Sequence, residues 1–144
     1  MTVAAILKHK GNRVTTVDPS MTIARVTAIL SEHRIGAVLV IDEATQLLGI
    51  VSERDIVRCL AANGARGLEM TAGQLMTRAM QFAHPGTTES EAMAMMTEGR
   101  FRHLPVIDHG DLVGLVSIGD VVKSIITQRE QEVESLVAYV AGSG

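Results

Sequence analysis

The sequence predicts an α/β (α+β) fold made of two copies of a β-α-β-β-α unit, packed with pseudo-two-fold symmetry. Three observations lead there. GIVSERDIV (49–57) aligns without a gap on GLVSIGDVV (114–122), sharing Gly, Val, Ser, Asp and the closing Val. Upstream, GAVLVID (36–42) matches HLPVID (103–108), and the one-residue slip between the two alignments falls where EATQLLG is replaced by HGDLVG, in a turn. Further back, VDPSMTIA (17–24) matches AHPGTTES (83–90), pairing Pro19 with Pro85 and Thr22 with Thr88, and ILKHKGN (6–12) resembles QLMTRAM (74–80). Order is kept throughout, which is the mark of a duplicated structural unit.

Each element follows from local chemistry. A short lead-in strand, 13–17 in one copy and 80–83 in the other, ends at a proline. A helix then spans 22–33, with Ile23, Val26, Ile29 and Leu30 on one face. Its counterpart TESEAMAMMTEG has Thr88 and Glu91 at capping-box spacing and turns Ala92, Met95 and Met96 inward. Two apolar runs around a polar turn follow in each copy, and they read as buried or half-buried strands. A second helix starts at each Ser-x-x-Asp. One copy alone leaves apolar faces in water, and two packed together bury them.

Residues 60–74, with three glycines, join the copies. After the second copy an amphipathic helix continues, with Val133, Leu136, Val137 and Val140 on one stripe that needs a covering surface. The expected division is therefore 1–67, 68–130 and a helical tail, 131–144.

Composition narrows the function. The chain has 144 residues, 47% of them apolar, with aromatics at 2% and 8 methionines, so its core is aliphatic and thioether. A net charge of −3 with scattered basic residues and no tryptophan offers neither a basic stripe nor a stacking platform for nucleic acid. The single cysteine, Cys59, rules out an internal disulfide and reads as a buried structural thiol in a reducing compartment. The N-terminal apolar run is too short for a signal core or a membrane span, so the expected location is cytoplasmic. No phosphate-binding Gly-rich loop, nucleophile elbow or HExxH appears, and the His103, Asp108 and His109 spacing fits no zinc pattern. Neither a catalytic nor a metal site is expected.

The two Ser-x-x-Asp motifs, Ser52/Asp55 and Ser117/Asp120, are at least helix caps, each contributing about 1 kcal/mol. They also carry ligand chemistry. A carboxylate accepts two hydrogen bonds and suits a vicinal diol, while a serine at a helix N-terminus stands beside free N–H groups and the positive dipole end.

Two copies of G-h-[VI]-[ST]-x-x-D (h an apolar residue), each after an [LV]-P-V-[IV]-D-like strand, resemble the CBS-domain pair, or Bateman module, over nearly the whole chain. The resemblance implies a regulatory, non-catalytic module that binds adenosine compounds (AMP, ADP, ATP, S-adenosylmethionine, or NAD(H)) in clefts between repeats. The motif aspartate would bond the ribose hydroxyls and the serine the ribose or phosphate. Carried over residue by residue, it implies two crossed sites. One joins Leu115, Ser117 and Asp120 to Thr15, Thr16, Val17, Ile35, Gly36 and Ala37. The other joins Ile50, Ser52, Arg54 and Asp55 to Gln81, Phe82, Ala83, Phe101, Arg102 and His103.

Arg54, Arg102 and His103 suit phosphates. S-adenosylmethionine is a weaker expectation, because its sulfonium gains nothing from those cations. There are departures from the pattern. Repeat one lacks the proline of HLPVID, and Gly119 stands where the first motif has Arg54, so the Asp120 site needs Lys8, Lys10, Arg13 or Arg34 as its cation. Unequal affinities follow. The resemblance further implies a homodimer and a regulated partner protein. The competing reading is an interaction module whose clefts no longer take a ligand.

Overall fold

The computed structural model describes residues 1–143. Along the chain run α1 (Val3–Lys10), β1 (Thr16–Val17), α2 (Ile23–His33), β2 (Ala37–Ile41), β3 (Leu47–Ser52), α3 (Glu53–Asn63), a 3-10 helix (Gly64–Glu69), α4 (Ala72–Leu75), α5 (Glu89–Gly99), β4 (His103–Asp108), β5 (Asp111–Ser117) and α6 (Ile118–Ser143). The chain forms two compact units. The first-repeat unit is Arg13–Met80, and the second-repeat unit is Met1–Asn12 together with Gln81–Gly144.

In the first-repeat unit, α2 starts where the Thr22 hydroxyl accepts the N–H of Arg25, and it ends at Arg34 in the left-handed conformation. The N–H of Ile35 then closes on the Leu30 carbonyl at 3.1 Å and aims the chain into β2. β2 lies between β1, parallel to it, and β3, antiparallel. Ile23, Val26, Val38, Val40 and Val51 form its core.

The second-repeat unit repeats this plan. Thr88 caps α5, Arg100 ends it left-handed, and Phe101 N–H closes on the Met96 carbonyl at 3.2 Å. β4 and β5 pair antiparallel, and their register slips between Val106 and Ile107 just as that of β2 slips between Val40 and Ile41. The turns differ where the alignment slips. His109 and Gly110, both at positive φ, make the tight turn of the second copy, whereas the first needs a longer one held by Asp42.

Three expectations are refined. The Thr88/Glu91 capping box is half formed, since the Glu91 carboxylate takes the Thr88 hydroxyl proton rather than its backbone N–H. The lead-in strands are shorter than expected, Thr16–Val17 in one copy and a single parallel bridge, Ala83 with Val106, in the other. The second stops there because His84 is spent on a turn, its N–H and carbonyl both bonded to Thr87. The segment 60–74 that joins the copies is itself structured, running from the end of α3 through the 3-10 helix into α4. Gly67 packs beneath buried Cys59, whose thiol faces the Gly67 carbonyl at 3.8 Å.

The compact units are also cut differently from the sequence-order division at 67 and 130. Thr71 caps α4, which docks on the first repeat through Ala72 N–H to Met21 O and Gly73 N–H to Pro19 O, both 2.8 Å. Thr2 caps α1, which docks on the second repeat in the same way, through Val3 N–H to Thr87 O at 2.8 Å and Ala4 N–H to Pro85 O at 2.9 Å. Val3, Ile6 and Leu7 join the core of Leu104, Val106 and Val116. Each pre-helix thus completes the repeat that it does not precede in sequence.

The tail continues α6 without a break, leaving Val133, Leu136, Val137 and Val140 each more than 60% exposed. Among the described residues no helix is long and apolar enough to cross a membrane.

Candidate functional site

Both Ser-x-x-Asp motifs sit where the last strand of a unit, β3 or β5, runs straight into a helix. At the first, the Ser52 hydroxyl accepts the Asp55 N–H at 3.3 Å, and Asp55 Oδ2 accepts the Ser52 N–H at 2.8 Å and its hydroxyl at 3.0 Å. At the second, Ser117 Oγ accepts the Asp120 N–H at 3.2 Å, and Asp120 Oδ2 accepts the Ser117 N–H at 2.8 Å. The caps are real in both copies. Both aspartates are nonetheless only half-buried and face solvent at a helix N-terminus.

Strand register decides what stands beside each motif. Ala37 pairs with Ser52, and the Glu53 N–H bonds the Gly36 carbonyl at 2.9 Å. His103 pairs with Ser117, and the Ile118 N–H bonds the Arg102 carbonyl at 2.8 Å. The crossed grouping takes residues from both units; the contacts inside each unit tie every motif to the loop of its own repeat. Thr15, Thr16, Val17, Ile35, Gly36, Ala37, Ile50, Ser52, Arg54 and Asp55 belong to the first-repeat unit. Gln81, Phe82, Ala83, Phe101, Arg102, His103, Leu115, Ser117 and Asp120 belong to the second.

Not all of these offer side chains. Val17, Ala37 and Ala83 are 3%, 2% and 0% exposed, and the Ala83 N–H and carbonyl are both taken by β4, so these residues shape the site from beneath rather than offer groups to a ligand. Phe101 packs half-buried against the core. Thr16, Gln81, Phe82, Arg54 and Arg102 are exposed, and neither arginine makes an ion pair among the described residues. Thr15, Ile35, Gly36, Ile50, Leu115 and His103 are half-buried.

The cation of the second motif is Lys10. Its Nζ donates to Asp120 Oδ2 at 2.6 Å and to the Leu115 carbonyl at 2.9 Å. Burial pushes the Asp120 carboxyl up, but the Lys10 hydrogen bond, the Ser117 N–H and the lysine charge outweigh it and hold the group below its ordinary value. Lys10 was legible as a candidate cation; that it grips the motif carboxylate was not. Sequence reasoning also missed an apolar groove of about 440 Å³ between α2 and α3, lined by Thr27, Ser31, Arg34, Gly36, Glu53 and Val57 among others. The signal was Val57, an apolar residue left 65% exposed on an otherwise amphipathic helix.

The CBS-domain family model matches this chain twice, over residues 5–62 and 72–127. The chain belongs to the CBS-domain family. The crystal structure of the CBS-domain protein ATU1752 from Agrobacterium tumefaciens is 42% identical, with a TM-score of 0.83 over 85% of this chain and 91% of that one. The CBS pair of protein MJ0100, solved with 5′-methylthioadenosine and S-adenosyl-L-methionine, is 26% identical with a TM-score of 0.79, covering 89% of this chain and 98% of that one. CBSX2, solved in complex with AMP, is also 26% identical, with a TM-score of 0.72 over 89% and 98%. In this CBS chain strand register sets each Ser-x-x-Asp motif beside the loop of its own repeat.

Proposed function

We propose that this CBS pair is a non-catalytic regulatory module that binds adenosine-containing nucleotides at its Ser-x-x-Asp motifs and passes occupancy to a partner protein. The observation that carries the reading is the presence, in both units, of a half-exposed carboxylate at a helix start, beside the loop leading into the neighbouring strand. CBS pairs of the same fold hold AMP, S-adenosylmethionine and methylthioadenosine, which share a ribose diol. Asp55 and Asp120 would take the diol, Ser52 and Ser117 the ribose or phosphate. Arg54 and Arg102 are exposed cations suited to phosphate, favouring AMP, ADP, ATP or NAD(H) over the sulfonium compound. The proposed setting is cytoplasmic.

The test is calorimetry and thermal unfolding with an adenosine panel. A ligand held at one hundred times its Kd stabilises the fold by about 2.7 kcal/mol. Asp55→Asn should weaken binding by about 1.5–3 kcal/mol, the range for a hydrogen bond to a charged group, while the unliganded midpoint moves little. A panel that leaves the midpoint unmoved at millimolar concentration would instead favour an interaction module without ligand. A homodimer is part of the proposal, supported by the apolar stripe at Val133, Leu136, Val137 and Val140. A monomer mass in light scattering at tens of micromolar would refute it.

A further inference from the structure

The two motifs are built alike except at one edge. In the first-repeat unit, the glycine before Ile50 lies against Met76, and Ile50 exchanges both backbone hydrogen bonds with Thr77, at 3.1 and 2.9 Å. In the second-repeat unit, the matching glycine, Gly114, lies against Leu7 of α1. There α1 does not open into a bridging strand. It continues in helix to Lys10, whose ammonium takes the Leu115 carbonyl and the Asp120 carboxylate together. At the Leu115 carbonyl a side-chain cation takes the place of the Thr77 backbone N–H.

That cation stands on the group the ligand needs. The Asp120 oxygen that accepts the Ser117 N–H is also the one that accepts Lys10, whereas Asp55 is bonded by Ser52 and joins none of the ion pairs among the described residues. A vicinal diol uses both carboxylate oxygens, and at Oδ2 it must compete with a charged donor that also holds the Leu115 carbonyl. Charge-assisted hydrogen bonds are the stronger kind, so a neutral diol starts at a disadvantage.

We propose that Lys10 is the discriminating residue of the second motif: its ammonium is a tethered occupant of Asp120, and a ribose diol binds there only by displacing it and loosening the last turn of α1. The proposal rests on the reading of the motifs as adenosine sites. It makes the two sites unequal, with Asp55 the open one. It also couples occupancy at Asp120 to α1, whose end is held by the Gly11 N–H on the Leu7 carbonyl at 2.7 Å.

Adenosine is the probe, because it carries the diol without a phosphate for Lys10 to attract. In the Asp55→Asn chain the first motif is weakened and adenosine binding reports chiefly on the second, and in the Asp120→Asn chain chiefly on the first. Adding Lys10→Met to Asp55→Asn should tighten adenosine about tenfold, the equivalent of one charge-assisted hydrogen bond no longer given up. Added to Asp120→Asn, it should change nothing. An affinity that stays the same or falls in the Lys10→Met/Asp55→Asn chain overturns the proposal, and silence there while the Asp120→Asn chain still binds overturns it too, leaving the adenosine reading intact at Asp55. Failure of the unaltered chain to bind either adenosine or AMP overturns that reading and the proposal with it. Hydrogen exchange on the unaltered chain guards against misfolded variants. Adenosine at concentrations that fill the second motif should speed exchange of the Gly11 amide, and unchanged protection there would also overturn the displacement.

Discussion

In the first-repeat unit the carbonyl two residues before the motif serine, that of Ile50, is held by the Thr77 backbone N–H; in the second-repeat unit the matching carbonyl, that of Leu115, is held by the Lys10 side chain. The divergence starts in the pre-helices. VAAILKHK is rich in good helix formers and runs on until Gly11, at φ 93°, whereas AGQL is followed at once by extended Met76. Three docking hydrogen bonds at the start of each pre-helix are the same in both units. What separates the copies is how long the helix persists past that dock. A duplicated scaffold therefore keeps its docking hydrogen bonds and acquires asymmetry where a few residues of helix propensity carry a new side chain to the site.

The largest expected effect that probes this comparison is at the two glycines. A Cβ at Gly49 would come within 2.8 Å of the Thr77 carbonyl oxygen as well as 2.7 Å from Met76 Sδ. At Gly114 the nearest atoms all belong to the Leu7 side chain, its two methyls at 2.7 Å. Side chains change rotamer and backbone does not. Gly49→Val should cost about 3 kcal/mol and Gly114→Val about 1 kcal/mol, the two ends of the overpacking range. Strand propensity cancels, since both glycines lie in equivalent strands. Urea unfolding of the two variants measures the difference, and equal costs would mean that α1 is as fixed at this edge as the Met76–Thr77 backbone.

A smaller effect separates the caps. The Ser52 hydroxyl both accepts from the Asp55 N–H and donates to its carboxylate, while in the second motif the Asp120 carboxylate takes Lys10 instead. Ser52→Ala should cost about 1.5 kcal/mol and Ser117→Ala about 1 kcal/mol, within the range for cap removal. The reverse order in thermal unfolding would show that Lys10 contributes nothing to the second cap.

Much of this was legible in the sequence, and the boundary of what was not has a physical cause. Thr22, Thr88, Ser52 and Ser117 announce their helices because a cap is a local interaction, satisfied within three residues. The turn that absorbs the alignment slip was readable for the same reason. The docking of α1 on the second repeat was not. ILKHKGN and QLMTRAM look alike as elements, and nothing in either says which repeat will cover it. The lead-in before Ala83 shrank to one bridge because Thr87 claims His84, a competition between a turn and a strand that pattern alone does not rank. At the site, Asp55 and Asp120 could be named but not told apart. Their difference lies in a lysine more than a hundred positions away in the chain.

The smallest expected effect is the pH dependence of that difference. The Asp120 carboxyl is held below its ordinary value, against burial, by Lys10 and the Ser117 N–H. A group with a depressed folded-state pKa binds its proton more readily when unfolded, so its stabilisation is complete above the unfolded value, about 3.9, and fades as pH falls through the folded one. Lys10 and Asp120 are 35% and 23% exposed, and pairs open to water contribute about 1 kcal/mol or less. The stability lost in Asp120→Asn should accordingly be small and constant from pH 7 to about 5, then shrink towards zero as the unaltered protein is acidified below the ordinary carboxylate range. Lys10→Met should shift that fading upward in pH, because the lysine supplies both a hydrogen bond and a charge to the depression. Urea unfolding at stepped pH reads both curves. If the Lys10→Met chain fades over the same range as the unaltered protein, Ser117 rather than Lys10 sets the carboxylate.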